Sequence, residues 1–454
     1  MQIRERLRSA VQGQPADFLE IRLEEEDITT FALSGTQVEE ISQSKNFVGN
    51  VRALVDGGWG YVAFNDLEQL DTFVRQAIEQ ARAASGAKRV LAPVAPVVDT
   101  VMAELKGDPR DIPLTEKLAM VESYAKIAIG ARPCIVNVLS TYQDIFQRRY
   151  YVNSEGSDIC QEKCYLSAGF SLVAREKGVL ETYGTSMRSV VGYEELLGRE
   201  EQMHEAVERV SEMVKADLVQ AGRYTVVLDP SMSGLFIHEA FGHLSEADGI
   251  FENEELRKVM VLGTQVASPI LTVSDGAITP GLHGSYKYDD EGTPASKTYL
   301  IKNGILTGRL HSRETAGAMG EAPTGNARAI NYQYPPIVRM TNTCIEPGES
   351  RFEDMIREVP LGLYIRGTRG GTTMKEMFTF AAQEAFMIRD GEIAERVRGV
   401  VMMGNLFETL KNIDAIGDDF VWRFGTCGKG GQAMIPAGMG GPSVRIHNVV
   451  VGGR

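Results

Sequence analysis

The chain has 454 residues, a formal charge of −14 from 47 Lys+Arg against 61 Asp+Glu, a hydrophobic fraction of 43%, and only 6 His and 5 Cys. That length accommodates two or three domains with full-sized cores; no run of about 18 apolar residues marks a transmembrane helix, and the sparse, odd cysteine count excludes a disulfide framework. The acidic balance argues against a phosphate-backbone binder, so neither nucleic acid nor membrane is expected as a partner.

The opening stretch MQIRERLRSAVQGQPADFLEIRLEEED holds no apolar core of a secretory signal, which would need about 7–15 residues, and a reducing cytoplasm is the expected setting. Phe18–Glu24 alternates as a strand, and Phe47–Val55 and Trp59–Phe64 are two more, split by Asp56, Gly57 and Gly58. Leu67, Leu70, Phe73, Val74, Ala77, Ile78 and Ala81 fall on one helical face, with Asn65 and Asp66 as a start signal and Gly86 as a stop. Residues 88–113, with Pro93, Pro96, Pro109 and Pro113, form a connector. A helix over Leu114–Ile129 follows, then strands at Ile135–Tyr142, Arg148–Val152 and Cys164–Val173, with a hairpin turn at Asn153–Gly156. A charged helix, Tyr193–Ala221, ends at Gly222. The boundary is placed there, between an N-terminal α/β domain (1–222) and a C-terminal domain (223–454).

Tyr224–Leu228 reads as a buried strand, and Asp229 to Ser233 supply cap and turn chemistry. The helix Gly234–Leu244 comes next, then short strands such as Lys297–Ile301, broken by Gly, Pro and Asn. Seven glycines lie between Gly425 and Gly441, and no fixed-period repeat is present. The fold class expected is α+β: a mixed α/β domain followed by a mainly β domain carrying one informative helix.

That helix contains His238-Glu239-Ala240-Phe241-Gly242-His243. The familiar zinc helix places histidines at i and i+4, with a Glu between them as general base. At i and i+5 the two side chains diverge by about 140° on an ideal α-helix. Gly242 can widen the turn into a π-type bulge or end the helix, swinging His243 back toward His238. A lone histidine on an apolar helix is an ordinary core group; the pair with Glu239 between them reads as metal-ligating. A catalytic zinc needs a third protein ligand. Cys160 and Cys164 lie four apart on one strand, about 13 Å from each other, too far for one ion. They read as buried small groups, as do Cys134 and Cys344. Cys427 differs, because it lies in Gly425-Thr426-Cys427-Gly428-Lys429-Gly430-Gly431-Gln432, a glycine-rich loop able to move toward a metal. His204 and His447 read as surface or structural residues. A dinucleotide fingerprint at Gly428, Gly430 and Ala433 is rejected for want of a strand before it and a helix after it.

These residues resemble the TldD/PmbA family, in its TldD branch. His238, Glu239 and His243 match that branch's His-Glu-x-x-x-His helix, and Cys427 in Thr-Cys-Gly-Lys-Gly-Gly-Gln matches its third ligand. Asp289 to Ala295 and His311 to Thr315 look like further family stretches. The resemblance implies a zinc-dependent peptidase with a barrel-like C-terminal domain. It implies dimers that enclose the active site, as homodimers or paired with a TldE/PmbA-like subunit, and unfolded peptides cut with little sequence preference. Zn²⁺ is then the expected cofactor on His238, His243 and Cys427, with Glu239 as the base. His283 and Tyr286 are candidates for oxyanion stabilisation or ordinary loop residues. Asp289, Asp290 and Glu291 are candidate carboxylates orienting a ligand histidine, or a solvated loop. The competing reading is a non-catalytic scaffold that binds a peptide or partner with a structural or empty metal site.

Overall fold

The computed structural model describes residues 2–374 and 376–453. Alternation of apolar and polar side chains builds the first sheet from β1 (Phe18–Ser34), β2 (Gln37–Val55), β3 (Gly58–Phe64), β4 (Val98–Val101), β5 (Ile135–Asn153), β6 (Asp158–Glu176) and β7 (Val179–Ser189). Its order is β3-β2-β1-β5-β6-β4, with β7 also pairing β6. The helices α1 (Gln2–Val11), α2 (Leu70–Ala83), α3 (Leu114–Ala128) and α4 (Glu200–Met213) accompany it. Val74, Ala77, Ile78 and Ala81 of α2 pack with Leu19, Ile21 and Val51 in one core, while α3 and α4 share a second core with the far ends of β5 and β6. Cys160 belongs to the first core and Cys164 to the second, so the two thiols are structural and apart.

Several strands outrun their sequence signal. β1 and β2 pair along their whole length, from Phe18↔Leu54 to Ser34↔Gln37. The outer part of β2 is exposed on both faces and therefore shows no alternation. The charged helix expected over Tyr193–Ala221 is shorter: a 3-10 turn precedes α4, and Asp217–Leu218 after it is a short strand of the C-terminal sheet.

The second half is built from β8 (Gly222–Leu228), α5 (Pro230–Ile237), β9 (Val273–Gly276), β10 (Lys297–Lys302), β11 (Asn342–Ile345), β12 (Leu361–Met374), β13 (Met377–Arg389), β14 (Val401–Asn405), β15 (Val421–Lys429), β16 (Gln432–Gly441) and β17 (Val444–Gly452). Strands β12, β8, β17, β14 and β13 pair in that order, and β12 also pairs β13, which closes a five-stranded barrel. Closure removes free edges and leaves one continuous apolar interior, into which Phe236, Phe378 and Phe380 project as an aromatic cluster. A second sheet ends in β11, β16 and β15, with β15 as its terminal strand. Among the described residues, no helix is long and apolar enough to cross a membrane.

Candidate metal centre

Asp229 starts α5 by accepting the Met232 N–H at 2.8 Å, with Pro230 in the first turn. The helix then changes pitch. Pro230–Ile237 is α-helical, His238–Gly242 is a π turn and His243–Ser245 a 3-10 turn. The wider π turn absorbs the extra residue of the i, i+5 spacing. As a result the two imidazoles meet edge-to-face, with ring centroids 5.5 Å apart. Gly242 permits this on a second count: a Cβ there would collide with the Met340 thioether. Gly234 likewise lets α5 press on β16, since a Cβ would come within 3.0 Å of the Met439 and Gly440 backbone.

Strand β15 delivers the third donor. The segment expected to be a glycine-rich loop is a β-hairpin, β15 paired with β16 and turning at Gly430–Gly431. Its glycines carry no side chains to alternate, so the strand left no periodic trace. Cys427 is 1% exposed and packs in the apolar core of the C-terminal half, so the expectation of a loop free to move toward a metal is corrected as well. A strand does lead into the glycines, but another strand rather than a helix follows, and the rejected dinucleotide reading gains nothing.

The donor atoms of His238, His243 and Cys427 all lie within 4.8 Å of one another. Cys427 Sγ is 3.5 Å from His243 Nε2. Metal–ligand bonds of about 2.0–2.3 Å at tetrahedral angles place donor atoms roughly 3.3–3.8 Å apart, so this spacing fits one ion. His238 supplies the sharper test. It is fully buried, and among the described residues neither ring nitrogen has a hydrogen-bond partner, a condition buried polar atoms rarely tolerate unless something else satisfies them. The N,N,S donor set suits zinc and disfavours Mg²⁺ and Ca²⁺. Burial alone would raise the Cys427 thiol, but the His238 and His243 imidazoles outweigh it and hold the thiol well below its ordinary range. A thiolate is the form that binds metal.

His243 is oriented from behind. Burial works against its charged form, but Glu246 and then Cys427 raise its pKa well above the usual imidazole value. Its Nδ1 lies 3.0 Å from Glu246 Oε2. Lys429, two residues beyond Cys427, contacts the same carboxylate oxygen at 3.1 Å and Asp248 at 2.6 Å. One carboxylate thus joins His243 to the strand that carries Cys427. Sequence reasoning missed both residues, although Glu246 stands at i+3 from His243, just past the 3-10 turn His243–Ser245, a spacing that brings side chains together. Glu239 is partly exposed, with Oε2 3.9 Å from His243 Nε2.

The other candidates go elsewhere. Asp289, Asp290 and Glu291 are buried rather than solvated, and none hydrogen-bonds to His238 or His243; Glu246 holds the orienting position expected of them. Asp289 accepts the N–H groups of Glu291, Thr293 and Ala327 and organises its own turn, although burial and Glu291 push it up to about 8. Asp290 pairs with Arg149 and Arg22, and Glu291 with Arg52, all from the N-terminal sheet. Tyr286 donates its hydroxyl proton to Gly325 O at 2.7 Å. His283 Nδ1 lies 2.8 Å from Gly425 O; a carbonyl only accepts, so Nδ1 carries the proton and Nε2 of the neutral ring is an acceptor. Burial lowers His283 to about 4, so it offers no second N–H near neutral pH. Neither residue has a proton free for an oxyanion in this geometry.

Known proteins share both the sequence and the fold. Models of the PmbA/TldA metallopeptidases match in three consecutive pieces: domain 1 at residues 19–81, the central domain at 107–218 and the C-terminal domain at 221–453. A metalloprotease of Synechocystis sp. is 45% identical over 442 residues, covering 96% of this chain and 95% of its own. A zinc metalloprotease TldD homolog of Saccharolobus solfataricus is 32% identical over 315 residues, 69% of this chain and 70% of its own. The crystal structure of TldE from Thermococcus kodakarensis superposes with a TM-score of 0.75 at 20% identity, covering 99% of this chain and 98% of that one, which speaks to the fold alone.

Proposed function

Because this chain belongs to the PmbA/TldD metallopeptidase family, in its TldD branch, we propose that it is a zinc-dependent peptidase acting on unfolded peptides. The observation that carries the reading is the fully buried His238, both nitrogens unpartnered, facing Cys427 and His243. These three residues would hold the zinc, which when bound polarises a peptide carbonyl and lowers the pKa of water toward about 7. Three protein ligands would leave the metal open for chemistry, whereas a structural zinc normally has four.

The chain's own groups do the proton work. Glu239 reaches the donors from the exposed side, where it accepts a proton from water and returns it to the leaving nitrogen. Glu246 keeps His243 Nδ1 occupied and so turns Nε2 toward the metal position. Strand β15 ends its sheet, and an extended peptide can add to such an edge through backbone hydrogen bonds. That mode reads backbone rather than side chains and suits low sequence preference. The likeness to TldE supports assembly with a TldE-like subunit or a second copy, with the N-terminal domain (1–222) enclosing the substrate. The cytoplasm suits a thiolate ligand that oxidation would destroy.

The test combines metal analysis of the purified chain with cleavage of an unstructured peptide, with and without chelator. One zinc per chain and chelator-sensitive cleavage are expected. Glu239→Gln should keep the zinc and lose about 10²–10⁴-fold in rate. Zinc bound with no cleavage, alone or with a TldE-like subunit, would instead favour the non-catalytic scaffold.

A further inference from the structure

A cavity of about 300 Å³ lies between the N-terminal sheet and the β15–β16 hairpin, with Thr426 and Pro436 forming one wall. The charges facing it are unusual for a chain of net charge −14. Lys163, Arg188 and Arg328 all line it, and among the described residues none has a carboxylate within 4.0 Å. Lys163 lies over the Tyr286 ring at 4.6 Å. Arg188 Nε is buried and has no hydrogen-bond partner among the described residues. Arg328 is positioned by one bond from Nη1 to the Met340 carbonyl and one from Nη2 to the Pro436 carbonyl, at 2.7 and 2.6 Å, two of the five N–H groups of a guanidinium.

The acids in the same wall do not compensate. Asp290 is committed to Arg149 and the Ala329 N–H. Glu26 accepts the amides of Asn46 and Gln147. Burial, reinforced by the neighbouring Arg149 and Arg328 and only weakly opposed by Glu24 and Asp289, pulls Lys163 well below the ordinary lysine range, and burial alone lowers Arg188. Lys163 and Arg188 are half-buried and Arg328 is buried; cations drawn from water without a carboxylate partner are destabilised, and an incoming anion would relieve that. The location says what carries the anion. Thr426 adjoins Cys427, and Arg328 is tied to Met340, the residue packed against Gly242 of the metal-binding turn. An anion held here therefore belongs to a molecule lying along the hairpin that presents the metal ligand.

We propose that this cavity binds a carboxylate of the peptide substrate through Lys163, Arg188 and Arg328. The carboxylate is either the chain-terminal one or that of an Asp or Glu side chain. The anion site stands on its own observations; calling its ligand a peptide rests on the peptidase reading above.

Four versions of one unstructured reporter peptide test it: free or amidated C-terminus, each with Glu or Gln at a position moved along the chain in a series. With zinc-loaded full-length protein, carboxylate-bearing versions should be cut with kcat/KM about tenfold above their neutral partners, as expected for one charge-assisted contact. Preference for the free terminus whatever the side chain identifies the terminal carboxylate; preference for Glu at one position whatever the terminus identifies a side chain. Lys163→Met and, separately, Arg188→Gln should pull the ratio toward one, whatever happens to the absolute rate. A ratio of one in the unmodified protein, or a ratio that both variants preserve, overturns the proposal. If no peptide is cut although zinc is bound, alone or with a TldE-like subunit, the peptidase reading fails, and anisotropy of the same labelled peptides decides the cavity. Tighter binding of the carboxylate versions, weakened by Lys163→Met, supports it. Equal binding, or binding of inorganic phosphate only, overturns it.

Discussion

His243 is held by contacts of three kinds: a carboxylate behind it, a thiol in front and a second imidazole beside it. The carboxylate is the easiest to change without touching a metal donor. Glu246→Gln keeps the shape but removes the charge that draws the Nδ1 proton, and it leaves Lys429 paired with Asp248 alone. Zinc affinity should fall about 10- to 100-fold, the usual effect of removing such a partner, as measured by competition with a chromophoric chelator. An unchanged affinity would reduce Glu246 to a packing residue. His283 makes a different prediction at the same scale. Its folded pKa of about 4 lies below the unfolded value of 6.5, so the unfolded chain binds the extra proton between them. Stability from this group is intact above pH 6.5 and is lost as pH falls toward 4, by about 2 kcal/mol at pH 5. Urea titrations at pH 7 and pH 5 should show that loss in the wild type and not in His283→Gln. Equal pH slopes would mean that His283 titrates freely in the fold.

At the scale of the element, the π turn decides whether His238 and His243 meet. Gly242→Ala places a methyl group against the Met340 sulfur, and overpacking of this kind costs about 1–3 kcal/mol. The larger effect should fall on zinc binding, because the turn must shift to relieve the clash and carries His238 and His243 with it. Met340→Ala opens the space, so the double variant should regain zinc affinity relative to Gly242→Ala; no recovery would mean that the alanine acts through backbone preference alone. This turn was legible in the sequence. Two histidines at i and i+5 cannot converge on a regular α-helix, and a glycine stood where the bend was required. The hairpin bearing Cys427 was not legible as a strand, since Gly425, Gly428, Gly430 and Gly431 give no alternation. The outer half of β2 escaped notice for the opposite reason: residues such as Glu39, Glu40 and Gln43 are exposed on both faces. Asp289, Asp290 and Glu291 were noticed as an acidic run, but the ion-pair partners of Asp290 and Glu291 lie in the N-terminal sheet, and no local pattern announces a contact across more than 130 residues.

At the scale of the whole molecule, that acidic run joins the halves. Arg52 pairs with Glu20 within its own sheet at 2.8 Å and with Glu291 of the C-terminal half at 2.6 Å, and its guanidinium lies 4.2 Å over the Trp59 ring. Trp59 in turn donates its indole N–H to Glu314 at 3.0 Å. All of these except Trp59 and Glu314 are buried, so removing the shared cation strands two carboxylates in a region of low dielectric. Breaking a buried ion pair from one side costs about 3–5 kcal/mol, and here the loss should fall on the seam rather than on either core. The protein carries two tryptophans, Trp59 in the N-terminal sheet and Trp422 on β15. Single-tryptophan versions therefore report the two halves separately. With Arg52 intact, both probes should follow one denaturant transition. With Arg52→Ala the Trp59 signal should move to lower denaturant by the stated energy, while the Trp422 signal moves less. Coincident midpoints in the variant would show that the halves unfold together without this ion pair, and that the apolar contact between Tyr151, Ile159 and Tyr288 is sufficient to couple them.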